Sequence, residues 1–117
     1  MTHLVFTYGT LKKGFHNHHY LQQSTFIGSG KTQNKYALYI NGGLPFVVRD
    51  QSVSLIYGEV YRVDDSVLAV LDQLEGHPDW YCREKVNIVL DADSSVVSAW
   101  LYFNPDCNGE LVTEGAY

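Results

Sequence analysis

Only one stretch of this chain repeats its apolar residues at helical spacing, and that scarcity limits the fold more than any other feature. Val67, Leu68, Leu71 and Leu74 fall on one stripe of a helix. Asp64 or Asp65 can cap its start, and Gly76-His77-Pro78 ends it with a glycine that tolerates left-handed backbone and a proline that cannot continue it. Elsewhere the apolar residues come in short runs rich in β-branched and aromatic types, predicting strands over residues 3–8, 35–40, 44–49, 54–63, 83–90 and 96–103. Asn41-Gly42-Gly43 and Asp91-Ala92-Asp93-Ser94-Ser95 read as turns between them. Pro45 puts its run at a sheet edge or outside the ladder. Within 54–63, Leu55, Tyr57, Glu59 and Tyr61 share one face and Ile56, Gly58, Val60 and Arg62 the other, with Gly58 marking a bulge or a close backbone approach. About six strands and one helix bury both faces most simply as an α+β fold, a small mixed, mainly antiparallel β-barrel with one main helix.

The 117 residues, 45% apolar and 14% aromatic, can fill one core, so a single domain over 1–117 is expected. No internal repeat or linker-like shift in composition interrupts them. A formal charge of −5 with acids spread along the chain offers no basic stripe, which argues against nucleic acid as a partner. No apolar run nears the ~20 residues of a spanning helix, and the first strand begins too close to Met1 for a signal peptide, so a soluble cytoplasmic protein without membrane association is expected. Nothing in the sequence specifies an oligomeric state. Cys82 and Cys107 are too few for a disulfide framework and too far apart for a Cys-x-x-Cys metal pair, and are read as reduced thiols. Residues 15–22 form a short helix or irregular turn; His18 and His19 there point ~100° apart with no acid nearby, which favours a solvated polar loop over a metal site. Gly28-Ser29-Gly30-Lys31-Thr32 ends like a phosphate-binding loop, but the required first glycine falls on Thr25 and no helix follows, so it is read as a turn. Residues 104–117 show no period and are expected to be a tail or cover.

Two places break the pattern. The run Val5-Phe6-Thr7-Tyr8 is strand-like, then Gly9 permits angles and a ligand approach that a Cβ would obstruct, and Thr10 and Leu11 follow with N–H groups that no strand claims. Such donors suit a carboxylate or a developing oxyanion, although many strands end at glycine for ordinary turn reasons. Glu75 lies seven residues after Leu68 and four after Leu71, hence within about 40° of both on the face that should be buried. Either it reaches solvent or pairs with a base such as Arg83, or its burial near the negative end of the helix dipole raises its pKa into a range useful for proton transfer.

Tyr8-Gly9-Thr10-Leu11-Lys12-Lys13-Gly14 followed by Asn17-His18, and Leu71-Asp72-Gln73-Leu74-Glu75-Gly76 followed by Pro78 and Tyr81, together resemble the γ-glutamylcyclotransferase-like proteins, most closely the γ-glutamylamine cyclotransferase branch. The resemblance implies that Tyr8, Gly9, Thr10 and Leu11 form a substrate-binding loop, that Asn17 and His18 pack behind it, and that Glu75 is the general acid/base. It implies a small γ-glutamyl substrate, such as ε-(γ-glutamyl)-lysine, whose α-amine attacks the side-chain carbonyl to give 5-oxoproline and a free amine. Ring closure and proton transfer call for no cofactor and no metal. Tyr102 either lends a hydroxyl to the pocket or is simply a barrel-wall tyrosine. Phe15-His16 depart from the expected polar turn, and Ala116 in Glu114-Gly115-Ala116-Tyr117 stands where relatives often carry an acid. The alternative is a non-catalytic small-molecule or partner-binding module on the same fold, since fold does not fix activity.

Overall fold

Alternation along the strands decides which residues meet. The computed structural model describes residues 1–105 and 108–117. Its strands are β1 (Thr2–Thr7), β2 (Thr25–Thr32), β3 (Ala37–Asn41), β4 (Leu44–Val48), β5 (Tyr57–Asp64), β6 (Cys82–Leu90), β7 (Val96–Phe103) and β8 (Glu110–Val112), with the helix α1 (Asp65–Glu75) between β5 and β6. A closed barrel runs in the order β1-β5-β2-β6-β7. Its pairings are antiparallel except β1 against β7, where Val5 faces Trp100 in parallel. The expected mixed, mainly antiparallel barrel with one main helix is therefore present.

The barrel strands β1, β5 and β7 each serve two cores, as a period of two allows. Phe6, Tyr8, Val60, Ile88, Ala99, Leu101 and Phe103 meet in one cluster inside the barrel. Val5, Tyr61, Val63 and Tyr102, on the opposite faces of the same strands, pack with Leu68 and Leu71 of the helix in a second. The helix stripe predicted from spacing thus covers the outside of the barrel near β1, β5 and β7. Asp64 caps its start, its side chain accepting from the Val67 N–H at 2.9 Å.

Two segments depart from their expected form. Residues 28–32, expected as a turn, belong to β2; a Cβ on Gly30 would lie 2.7 Å from the Val89 carbonyl oxygen, so this glycine serves close strand packing and not chain reversal. Residues 104–117, expected as a tail or cover, contain β8, which pairs with β3 in a three-stranded sheet of order β4-β3-β8. That sheet holds the β3–β4 hairpin beside the barrel, with Gly42 and Gly43 both at positive φ in its two-residue turn and Pro45 on the edge strand β4, as expected. Cys82 is a free, exposed thiol; Cys107 lies outside the described residues. Among the described residues no helix is long and apolar enough to cross a membrane, and no cluster of His, Cys, Asp or Glu could hold a metal ion.

Candidate active site

Where β1 ends, the chain leaves the sheet and coils. Lys12 N–H bonds the Gly9 carbonyl at 3.0 Å, and Asn17 N–H bonds the Thr10 carbonyl at 3.0 Å. Side chains fix the same turn: Asn17 Nδ2 donates to Thr10 Oγ1 at 2.8 Å, and His18 Nδ1 sits 3.0 Å from the Leu11 carbonyl oxygen. Asn17 and His18 therefore pack on the Gly9 loop, and the short 3-10 turn His18–Leu21 follows them. Glu59 on β5 holds the far side, accepting from the Lys13 N–H at 2.9 Å. With the carbonyls engaged in this way, the N–H groups of Gly9, Thr10 and Leu11 have no partner among the described residues.

The reason for glycine at position 9 differs from the expected one. Its φ is not in the left-handed region, and the space a Cβ would take is filled by the Pro45 ring, whose Cγ would be 2.5 Å away. The hairpin makes this close approach.

On the helix side, Gly76 adopts φ 66° and closes α1 with a paired cap, its own N–H on Gln73 O at 3.2 Å and the His77 N–H on Asp72 O at 2.9 Å. Glu75 is thereby fixed as the last helical residue, and its carbonyl accepts from the Tyr81 N–H at 3.1 Å. The Glu75 carboxylate has no hydrogen bond and no ion pair among the described residues. Burial alone pushes its pKa up to about 7. Arg83, one base that could have paired with it, is instead engaged by Asp72: Nε lies 2.8 Å from Oδ1 and Nη2 3.1 Å from Oδ2. Tyr102 donates its hydroxyl to the same Oδ1 at 2.7 Å. Burial raises the Asp72 pKa, but the bonds from Arg83 and Tyr102 outweigh it and hold the carboxyl below the ordinary range. Burial and the bond to Asp72 drive the Tyr102 pKa upward, so its hydroxyl stays a donor.

Both halves open on one cavity of about 200 Å³. Tyr8, Gly9, Thr10 and Leu11 line one side, Glu75 another, and Tyr102 a third; all six residues singled out in the sequence meet there. The Glu75 charge is close enough to raise the pKa of both Tyr8 and Tyr102. Tyr8 is buried and donates its hydroxyl to the Tyr102 carbonyl at 2.7 Å, which ties the β1 end to β7. Sequence reasoning missed Asn17 as a wall residue, along with Pro45, Trp80 and Tyr81. Tyr81 donates to the Pro45 carbonyl at 2.9 Å and stacks on Phe46 with ring centroids 5.5 Å apart, linking the segment after the helix to the hairpin. Only the aromatic pair Trp80-Tyr81 after Pro78 could have signalled it.

The small mixed barrel with its single flanking helix is shared with solved structures. A mouse AIG2-like protein superposes with a TM-score of 0.89 at 25% identity, over 99% of this chain and 88% of that one. Residues 5–117 match the family described as gamma-glutamyl cyclotransferase, AIG2-like, and the chain belongs to that family. A Methanocaldococcus jannaschii protein provisionally named gamma-glutamylcyclotransferase is 54% identical over 97% of this chain and 93% of its own length. Zebrafish gamma-glutamylaminecyclotransferase B is 36% identical over 88% of this chain, which spans 62% of that enzyme. The human gamma-glutamylaminecyclotransferase is 38% identical over 77% of this chain and 64% of its own.

Proposed function

We propose that this member of the cyclotransferase family is a γ-glutamylamine cyclotransferase, acting on small γ-glutamyl amines such as ε-(γ-glutamyl)-lysine within a single domain over 1–117. One observation carries the reading: the uncompensated Glu75 carboxylate, with its pKa raised to about 7, shares a cavity with the free N–H groups of Gly9, Thr10 and Leu11. A pure binding pocket has little use for a desolvated carboxylate without a partner, whereas a proton carrier near neutrality needs one. The zebrafish and human relatives are named for the same substrate class.

The reaction is intramolecular, so the protein has to hold a folded-back conformer and carry protons from the attacking nitrogen to the leaving one. Glu75 takes a proton from the substrate's α-ammonium. The freed amine attacks the side-chain carbonyl, the new carbon–nitrogen bond closes the five-membered ring, and the oxyanion is met by main-chain N–H donors of the Gly9 loop. Protonated Glu75 gives that proton to the leaving nitrogen as its bond to carbon breaks. The carboxylate so regenerated accepts the second proton from the ring nitrogen, which becomes the lactam N–H, and passes it to the departing amine, giving 5-oxoproline and the amine as its ammonium. Tyr8 and Tyr102 stay protonated throughout and supply a neutral, hydroxyl-bearing wall. We place this activity in the cytoplasm, in keeping with the exposed reduced thiol of Cys82, and a charge of −5 gives no reason to invoke nucleic acid.

Amine release from ε-(γ-glutamyl)-lysine, measured beside γ-glutamyl-alanine and glutathione, tests the proposal. Release from the lysine compound alone supports the amine enzyme. Preferential release from either of the others moves the protein to the peptide-type branch, and release from none supports the binding module.

A further inference from the structure

The cavity opens to solvent, and the exposed residues at its rim are apolar. Of the residues lining it, only Leu44 and Trp80 are exposed, at 39% and 49%. They come from different elements, Leu44 from the start of β4 and Trp80 from the segment after α1. Neither hangs loosely. Trp80 N–H bonds the Gly76 carbonyl at 2.8 Å, and its ring packs edge-on against Tyr81 at 4.9 Å and Phe46 at 6.3 Å. Leu44 is the first residue after the Gly42-Gly43 turn and pairs with Asn41. At about 200 Å³ the cavity is smaller than the ~300–1,000 Å³ pockets that enclose whole drug-sized ligands, so it surrounds one end of a substrate while the other leaves past the rim.

Given the proposed γ-glutamyl chemistry, on which this inference rests, the enclosed end must be the glutamyl unit, because the ring closes on that side of the scissile bond. We infer that Trp80 and Leu44 are specificity-determining residues, forming an apolar lip that takes the alkyl chain of the departing amine. Charge supports the assignment. Glu75 is the one charged side chain among the described residues of the lining, so no cation waits for the carboxylate that an amino-acid leaving group carries beside its amide nitrogen. An alkylamine brings methylenes to the same place, and an indole face with an isobutyl group opposite is a surface they can cover.

The test uses γ-glutamyl amides of methylamine, propylamine and pentylamine with the wild-type protein, Trp80→Ala, Trp80→Phe and Leu44→Ala. Half-burying each methylene against the lip raises kcat/KM about two-fold, so methyl to pentyl spans on the order of ten-fold in the wild type. The gain appears in KM, because the chain touches the lip equally in the ground and transition states. Trp80→Ala flattens that slope, Leu44→Ala reduces it, and Trp80→Phe restores most of it. If Trp80→Ala does not fold, Leu44→Ala at the exposed hairpin and Trp80→Phe still read the slope. The same chain-length slope in every folded variant overturns the lip while leaving the cyclotransferase reading intact. No 5-oxoproline from any amide with the wild-type protein contradicts that underlying reading instead.

Discussion

At the scale of single residues, Glu75 is the side chain with most at stake. Its carboxyl holds a proton more tightly in the folded chain, with a pKa of about 7, than at the reference value of 4.5. The folded state therefore binds more protons than the unfolded one between those values, and stability is full below pH 4.5 and lost as pH rises through 7. Glu75→Gln removes this penalty. Urea unfolding should show the variant more stable than wild type by about 3 kcal/mol at pH 8, the gap closing toward pH 4.5. The same titration gives kcat/KM an ascending limb near pH 7, since the base must be unprotonated to begin. Equal stability of the two proteins across this range would mean the carboxylate is solvated after all. Glu75 was legible because a helical wheel places an acid on an apolar stripe. The Asp72–Arg83–Tyr102 set was not, since nothing in sequence distance says that Arg83 on β6 chooses Asp72 over Glu75 one turn away.

At the scale of elements, the helix has two ends with different duties. Asp64 at its start accepts from the Val67 N–H and the Ser66 hydroxyl, and Asp64→Ala should lower the midpoint of denaturant unfolding without altering kcat. Gly76 at its end aims Glu75. A side chain there is strained at φ 66° and would sit 3.1 Å from Trp80 Cβ. Gly76→Ala should cost about 1–2 kcal/mol and lower kcat as well, because the last turn must move with it. Wild-type kcat in Gly76→Ala would show that the cap does not position the acid. Both ends were readable from the sequence, through cap residues and a stop signal. The strand β2 was not, because Gly28 and Gly30 carry turn chemistry in isolation, and Gly30 reveals its purpose only against Val89 of β6. The pairing of β8 with β3 was hidden for the related reason that three residues are too short to show a period.

At the scale of the whole molecule, barrel closure turns two distant segments into one cavity. β1 and β5 run antiparallel, so α1 begins beside the start of β1 and its last turn, with Glu75, comes back to the exit of β1. Alternating apolar runs and a lone helix were enough to anticipate that barrel. The separate sheet was not anticipated, yet it brings Pro45 against Gly9 and Leu44 to the rim, contacts that only the folded chain defines. If one segment holds the substrate while the other moves its protons, the two duties should separate. The most direct measurement is steady-state formation of 5-oxoproline from ε-(γ-glutamyl)-lysine by Glu75→Gln, with 5-oxoproline affinity measured on the same sample. The prediction is a kcat at least ~10²-fold lower with the product still bound; turnover close to wild type would contradict it.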